Sequence, residues 1–412
     1  MSLRNKRIAI LNDSTKYGRL TIMQQPIVHT YSLGELYTER KEKGDPLLPI
    51  LTVSIHTGVS EGELDEDKLG KKVKRITDKT QYKTARKGDL VFNMMRAWQG
   101  AIGVVRSDGL VSPAYIVAKP NEKIWPEYMD YCMKTPRMIH AIHRQSYGVT
   151  DFRLRLYWDS FTPITCQLPT LPEQQKIAAI LSTQDKVIEL KEKLLAQKQQ
   201  QKKYMMQQLL TGKKRLPGFD RKWNYVKANE IFKSIVDKSY DGKLEVLSST
   251  QDKGIVPRSQ VDIDIKYNEN SLSTYKKVCE GDFVISLRSF QGGIEYSNYA
   301  GIVSPAYTVL RAIVKIDAGY YKQFFKSSNY IKRLNVAVYG IRDGKQISYD
   351  DFGQIKIPVP PIEEQREVAK MLSTADHEID LLQKSIEAEK QKKKALMQLL
   401  LTGKVRVEDE QK

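Results

Sequence analysis

LPTLPEQQKIAAILST, from Leu168 to Thr183, and VPPIEEQREVAKMLST, from Val359 to Thr374, decide how this chain is built. In the first, Pro172 stands where a helix begins without losing a hydrogen bond, and neither Pro nor Gly follows until Gly212. The spacing predicts one helix of about forty residues, ~60 Å long at ~1.5 Å per residue. The second stretch repeats the pattern, and the two close on QLLTGK and LLLTGK, ending at Lys213 and Lys404. Apolar residues recur at every seventh position: Leu181, Ile188, Leu195 and Leu209 in the first, Leu372, Ile379, Ile386 and Leu400 in the second. This is the pattern of a coiled-coil seam, and its one polar interruption, Lys202 or Lys393, falls on the same rung of each helix. Any long amphipathic helix carries a stripe. Two that share register and interruption predict a seam between them, with the lysines either limiting slippage or facing solvent near an end.

Outward from the helices, the whole chain is duplicated at an offset of 191 to 193 residues. LVSPAYIV from Leu110 returns as IVSPAYTV from Ile302, and KGDLVFNMMRAWQGAIG from Lys87 returns as EGDFVISLRSFQGGIE from Glu280. YGVTDFRLRLYWDSF from Tyr147 pairs with YGIRDGKQISYDDF from Tyr339. The repeat is domain-sized, which excludes a solenoid. Short apolar runs such as Leu90 to Phe92, separated by Gly and Pro turns, predict strands in the first part of each half. One helix is expected among them, near Tyr128 to Ile142 and again near Tyr320 to Leu334.

The fold class expected is therefore α+β: two similar mixed domains separated by two long helices. The segmentation is a basic segment 1–29, a domain 30–171, a long helix 172–214, a domain 215–361, a long helix 362–405 and a tail 406–412. The first helix carries the chain from domain one to domain two and the second starts at domain two. If they pair, they run antiparallel, with a pseudo-two-fold axis relating the halves.

The 412 residues carry 67 Lys and Arg against 49 Asp and Glu, a net charge of +18, so polyanions lead the list of partners, nucleic acid before membrane surface. Most of that charge lies outside the long helices, which leaves the domains to grip. No apolar run is long enough to span a bilayer and the first residues lack a signal peptide's pattern, so a soluble, cytoplasmic protein with no membrane partner is expected. Cys132, Cys166 and Cys279 are far apart without C-x-x-C, and are expected to be small buried hydrophobes.

Two similar basic domains at a fixed separation would meet two segments of duplex a fixed number of base pairs apart, and diverged domains would read unlike half-sites. Here the residues resemble a known family, the specificity (S) subunits of type I restriction-modification systems. The resemblance rests on the duplicated start of each long helix, PTLPEQQKIAAIL and PPIEEQREVAKML, the Q-L-L-T-G-K and L-L-L-T-G-K ends, RLPGFDRKW from Arg215, and the G-D-x-V turns at Gly88 and Gly281. It covers nearly the whole chain. It implies two target-recognition domains, each reading one half of a bipartite double-stranded DNA sequence. It also implies helical regions that set the spacer and bind methyltransferase (M) subunits, probably two, with restriction (R) subunits joining through the M–S complex. Adenine methylation and ATP-dependent cleavage then belong to partner chains, and this chain is non-catalytic and holds no cofactor. The start of the chain departs from the pattern, because a basic stretch stands where a counterpart of Arg215 to Trp223 is expected.

Catalytic signatures are absent from the sequence. There is no G-x-x-x-x-G-K-[ST], no G-x-G-x-x-G after a strand, and no Asn- or Asp-Pro-Pro-Tyr for a flipped adenine. Glu363 and Glu364 fit the first turn of a helix, where they favour its dipole, better than a metal site. His140 and His143, three apart on a helix, lack an evident third ligand. The candidate base readers are Arg and Gln in loops after strands: Arg96 with Gln99, and Arg288 with Gln291. The later, diverged loops add Arg153, Arg155, Arg342, Lys345 and Gln346. An equal reading of the shared Arg-x-x-Gln is structural or backbone-directed. Tyr115 and Tyr307 are expected in the core ahead of base stacking. Two other classes stay open: an architectural coiled-coil protein that binds DNA without sequence choice, and a metal-dependent nuclease.

Overall fold

The computed structural model describes residues 20–21, 29–60, 62, 78–150, 153–239, 244–251, 253–261, 269–287, 289–337 and 347–407. By its contacts the chain divides into two units, 1–190 with 386–412, and 191–385, so each unit takes one end of each long helix.

In unit 1 the strands β1 (His29–Ser32), β2 (Tyr37–Glu39), β3 (Leu90–Asn93), β4 (Ile102–Val104), β5 (Tyr115–Pro120) and β6 (Thr165–Leu168) make up two antiparallel sheets. The larger has the order β2-β5-β3-β4, and β1 pairs with β6 beside it. Leu90, Val91 and Phe92 are buried on both faces, which is why this strand reads as a continuous apolar run. The turn before β3 needs its glycine, since Gly88 has φ +91°. Asp89 beside it is 1% exposed, receives two hydrogen bonds from Arg40 at 2.6 and 3.1 Å, and accepts from the Arg86 N–H at 2.8 Å.

The single helix expected near Tyr128 to Ile142 is two, α1 (Pro126–Cys132) and α2 (Pro136–Gln145). Pro136 has no N–H to continue α1, and Thr135 caps α2 by accepting from Met138 N at 3.3 Å. Cys132 and Cys166 lie buried in this core, and burial pushes the Cys132 thiol up to about 11, so it stays protonated. Cys279 is only half-buried, contrary to the expectation for all three.

Unit 2 repeats the order with β7 (Asn224–Lys227), β8 (Phe232–Ile235), β9 (Phe283–Ile285), β10 (Glu295–Tyr296), β11 (Thr308–Ala312) and β12 (Lys356–Val359). The sheet runs β8-β11-β9-β10 and β7 pairs with β12. Its core is aromatic: the Phe232 ring has Phe283, Tyr321, Phe325 and Phe352 at centroid distances of 5.3 to 6.2 Å. Here too the expected helix is broken, into α3 (Ala318–Phe325) and α4 (Ser328–Ala337), with Ser327 accepting from Tyr330 N at 3.3 Å. The turn glycine Gly281 has φ +93°, and Asp282 is again buried and paired, now with Arg311 at 2.7 and 2.8 Å.

The long helices span Leu171–Leu209 and Ile362–Leu400. They pair antiparallel within each unit. In unit 1, Gln184 donates to Glu389 at 2.7 Å and Lys393 meets Asp185 at 2.5 Å. In unit 2, Lys191 donates to Ser385 at 2.8 Å, Lys198 meets Glu378 at 2.8 Å and Lys202 meets Asp376. Leu181, Ile188, Leu209, Leu372, Ile386 and Leu400 are buried, while Leu195 and Ile379 are half-buried. The two polar rungs neither face solvent nor stand alone. Lys393 and Lys202 each reach an aspartate at the same repeat position on the other helix, and a residue of the adjoining domain holds that aspartate: Tyr131 OH on Asp185 at 2.7 Å, Gln323 on Asp376 at 2.6 Å.

Candidate DNA-recognition loops and the frame that carries them

After β3 the chain makes a tight turn through Asn93 to Gly100. Asn93 Oδ1 accepts from Met95 N at 3.0 Å, Trp98 Nε1 donates to the Met95 carbonyl at 3.0 Å, and Ala97 is wholly buried. Gly100, with φ +102°, ends the turn. This leaves Arg96 and Gln99 exposed on a backbone that is fixed beneath them. Tyr115, half-buried, hydrogen-bonds Asn93, and burial raises its hydroxyl pKa; it braces the turn, in line with the core reading.

The loop from Tyr147 to Leu156 comes to the same edge. Tyr147 and Arg155 exchange backbone hydrogen bonds at 3.1 and 2.9 Å, and Leu156 N donates to the Met94 carbonyl at 2.9 Å. Arg153 and Arg155 are exposed. The structure thus brings the two candidate loops of unit 1 together, although 60 residues of chain separate Asn93 from Arg153.

Arginines of this unit differ in how far carboxylates claim them. Arg40 is spent on Asp89 and Glu42, Arg86 on Glu42 and Asp108, and Arg406 on Glu173. Arg96, Arg153 and Arg155 form no ion pair among the described residues. Their charge is available to a partner, which sequence alone cannot distinguish.

In unit 2, Gln291 is exposed on the short helix Ser289–Gly292, which starts at buried Ser289; the Ser289 Oγ accepts from Ser286 N at 2.8 Å. Gly293 is required after it, because a Cβ there would sit 2.2 Å from the Phe325 carbonyl oxygen. Arg288, Arg342, Lys345 and Gln346 lie outside the described residues.

The frame at the base of each domain was not legible from the sequence. Glu364, read there as a dipole-favouring residue of the first turn, is 1% exposed and receives two hydrogen bonds from Arg215, both 2.6 Å, and one from Trp223 Nε1 at 2.8 Å. Both glutamates do lie in the first turn of the second long helix, and of the two only Glu363 is exposed. In unit 1, Glu173 pairs the same way with Arg406, which follows the second T-G-K as Arg215 follows the first. The counterpart that the chain's start lacks is therefore supplied in part from beyond the second helix. The segment Arg406–Val407 also pairs with Leu20–Thr21.

The adjacent glutamines do parallel work. Gln174 accepts from Trp125 N at 2.9 Å and donates to the Lys123 and Pro169 carbonyls, both 3.0 Å. Gln365 accepts from Asp317 N and donates to the Pro360 carbonyl, both 2.9 Å. The E-Q pair is a clamp: one side chain fixes an arginine, the other fixes the loop before α1 or α3. Among the described residues no three His, Cys, Asp or Glu gather to hold a metal, and no helix is long and apolar enough to cross a membrane.

The type I restriction modification DNA specificity domain matches residues 34–199 and again 220–390, which is most of the chain. The chain belongs to the type I restriction-modification specificity family. Among curated relatives, the putative type I restriction enzyme MjaX specificity subunit of Methanocaldococcus jannaschii is 26% identical, covering 90% of this chain and 89% of that one. The MjaVIII specificity subunit of the same organism is 27% identical over 73% of this chain and 75% of its own length. Two solved structures share the fold. The S subunit from M. genitalium aligns at TM-score 0.56 with 13% identity, covering 92% of this chain and 97% of that one. The HsdS subunit from Thermoanaerobacter tengcongensis aligns at TM-score 0.50 with 21% identity and the same coverage. The specificity subunit is the non-catalytic recognition component of its system, and this one carries two recognition domains.

Proposed function

We propose that this specificity subunit reads a bipartite double-stranded DNA target, one unlike half with each domain. The long helices set the unspecified spacer and bind methyltransferase subunits, two in the reading offered here, and restriction subunits join through that complex. In unit 1, Arg96 and Gln99 on the locked turn and Arg153 and Arg155 on the loop tied to it meet base edges and phosphates. Arg288, Gln291, Arg342, Lys345 and Gln346 do so in unit 2.

The observation that carries the reading is the contrast within unit 1 between Arg40 and Arg406, each paired with a buried carboxylate, and Arg96, Arg153 and Arg155, exposed on the loops and without an ion pair among the described residues. Guanidinium groups of that kind suit bidentate contact with guanine, worth about 1–3 kcal/mol of discrimination per good pair. Methyl transfer to adenine and ATP-driven cleavage are assigned to the partner chains, which hold their own cofactors.

The test is a genome-wide map of methylated adenines in cells carrying this chain with its methyltransferase subunit. A split motif with two unlike halves and a fixed spacer, lost when this chain is omitted, is the expected result. A stable complex with a functional methyltransferase that leaves no chain-dependent motif overturns the reading and favours an architectural DNA-binding role.

A further inference from the structure

Each unit joins its domain to the long helices at two points on one helix face. In unit 1 the first point is Gln174, which accepts from Trp125 N at the start of α1 at 2.9 Å. The second is Asp185, which accepts from Tyr131 Oη in the last turn of α1 at 2.7 Å. Eleven residues separate Gln174 from Asp185. At ~3.6 residues per turn that is three turns, so both side chains leave the same face of the helix, ~16 Å apart. The helix α1 is thus pinned at its start and at its end. Unit 2 has the same arrangement. Gln365 accepts from Asp317 N just before α3, and Asp376, again eleven residues on, accepts from Gln323 Nε2 in the last turn of α3 at 2.6 Å.

The second point does more than hold the domain. A lysine of the other long helix reaches the same aspartate: Lys393 meets Asp185 at 2.5 Å and lies 5.6 Å from the centroid of the Tyr131 ring, and Lys202 meets Asp376. Each aspartate therefore ties three helices together, one from the domain and both of the long pair. Tyr131 and Gln323 are repeat counterparts, as are Asp185 with Asp376 and Lys202 with Lys393. The side chain that the domain contributes differs between the copies, and the hydrogen bond to the aspartate is present in both. A ring and an amide pack differently, so what the two copies share is the geometry that the bond imposes.

One point of attachment lets a body pivot; two ~16 Å apart on a stiff helix resist it. We propose that Tyr131 with Asp185, and Gln323 with Asp376, are positioning residues that hold each recognition domain at one angle to the long helices, and so determine how strictly the complex keeps to a single spacer length. The inference rests on the bipartite reading above. The helices set the preferred length, and the anchors set the penalty for departing from it. A spacer one base pair too long or too short displaces a half-site by ~3.4 Å and turns it by roughly 35°. A domain must pivot to follow it, and pivoting breaks the anchor. That cost is part of the discrimination between spacers.

The test measures spacer tolerance in the assembled complex of the full-length chain and methyltransferase subunits. Methylated adenines are mapped in cells, and competition binding then uses duplexes carrying the mapped motif with its spacer shortened or lengthened by one base pair. Tyr131→Phe removes one hydroxyl and keeps the ring, and Gln323→Met removes the amide at similar size. In each, the same half-sites and the same preferred spacer are expected. Preference over the off-length duplexes is expected to fall by roughly three- to tenfold, the scale of one hydrogen bond, with off-length sites appearing in the methylation map. Val111→Ala, in a core cluster that contains no residue of the long helices, controls for lost stability alone: Tm falls and the spacer preference holds. Full spacer preference in both the Tyr131→Phe and Gln323→Met complexes, or an equal loss of it in the Val111→Ala complex, overturns the proposal. If the unaltered chain yields no split motif, the functional reading fails and the proposal with it; if it yields one whose spacer the variants keep as strictly, only the role of the anchors fails.

Discussion

The base of each domain and the loops at its candidate DNA edge are built from the same residue types under opposite conditions. At the base, Arg215 and Arg406 meet carboxylates that are almost wholly buried, and both copies keep the same pair. In the loops of unit 1, Arg96, Arg153 and Arg155 are exposed, and of their pattern only Arg-x-x-Gln recurs in the second half. A buried charge cannot change without its partner, because the partner is then left unpaired in a poorly solvated place. An exposed arginine on a locked turn can change freely as far as folding is concerned. The frame is therefore duplicated and the loops have diverged.

The largest expected effect is at the frame. Glu364→Ala removes the acceptor of both Arg215 and Trp223 and is expected to cost roughly 3–5 kcal/mol of stability. Denaturant unfolding followed by Trp fluorescence checks it, and Glu173→Ala is expected to act comparably on unit 1. Losses under about 0.5 kcal/mol, the range of an ordinary surface substitution, would erase the contrast between frame and loops.

Arg96→Ala is expected to invert that outcome. Stability stays within about 0.5 kcal/mol, while binding to the cognate duplex by the assembled complex weakens by about 1–3 kcal/mol and one position of one half-site relaxes. Competition binding against duplexes substituted base by base separates this from a phosphate contact. Loss of affinity that is uniform over sequence, with a shallower salt dependence, would reassign Arg96 to the backbone. A smaller effect is expected at the polar rungs of the coil. Asp376→Ala frees both Lys202 and Gln323. With both charged side chains partly exposed, a loss of about 1 kcal/mol is expected, measurable as a shift in the urea midpoint.

The long helices and the duplication were legible because they are local or repetitive. Pro172, the absence of Gly before Gly212, and a seven-residue period need no knowledge of what lies opposite. The break at Pro136 was also written in the sequence, as Thr135-Pro136 is a cap followed by a residue suited to a first helical turn, but the apolar spacing across it suggested continuity. The partners in the frame left no such signal: Arg215 is 149 residues from Glu364, and Arg406 is 233 from Glu173. The buried aspartate of the G-D turn shows why pattern alone fails there. Asp89 takes its arginine from just beyond β2 and Asp282 takes it from β11, so the repeat conserves the ion pair while changing which strand supplies it. Among the loop residues the types were legible, and their availability was not, since that depends on which arginines distant carboxylates have already claimed.

The most direct measurement exchanges residues 30–170 for the corresponding domain of another specificity subunit and maps methylated adenines in cells supplying the same methyltransferase subunit. The account predicts that one half of the split motif changes to the donor's sequence, while the other half and the spacer length stay as they were. A folded exchange variant, bound to its methyltransferase, that leaves both halves unchanged or alters the spacer would contradict it.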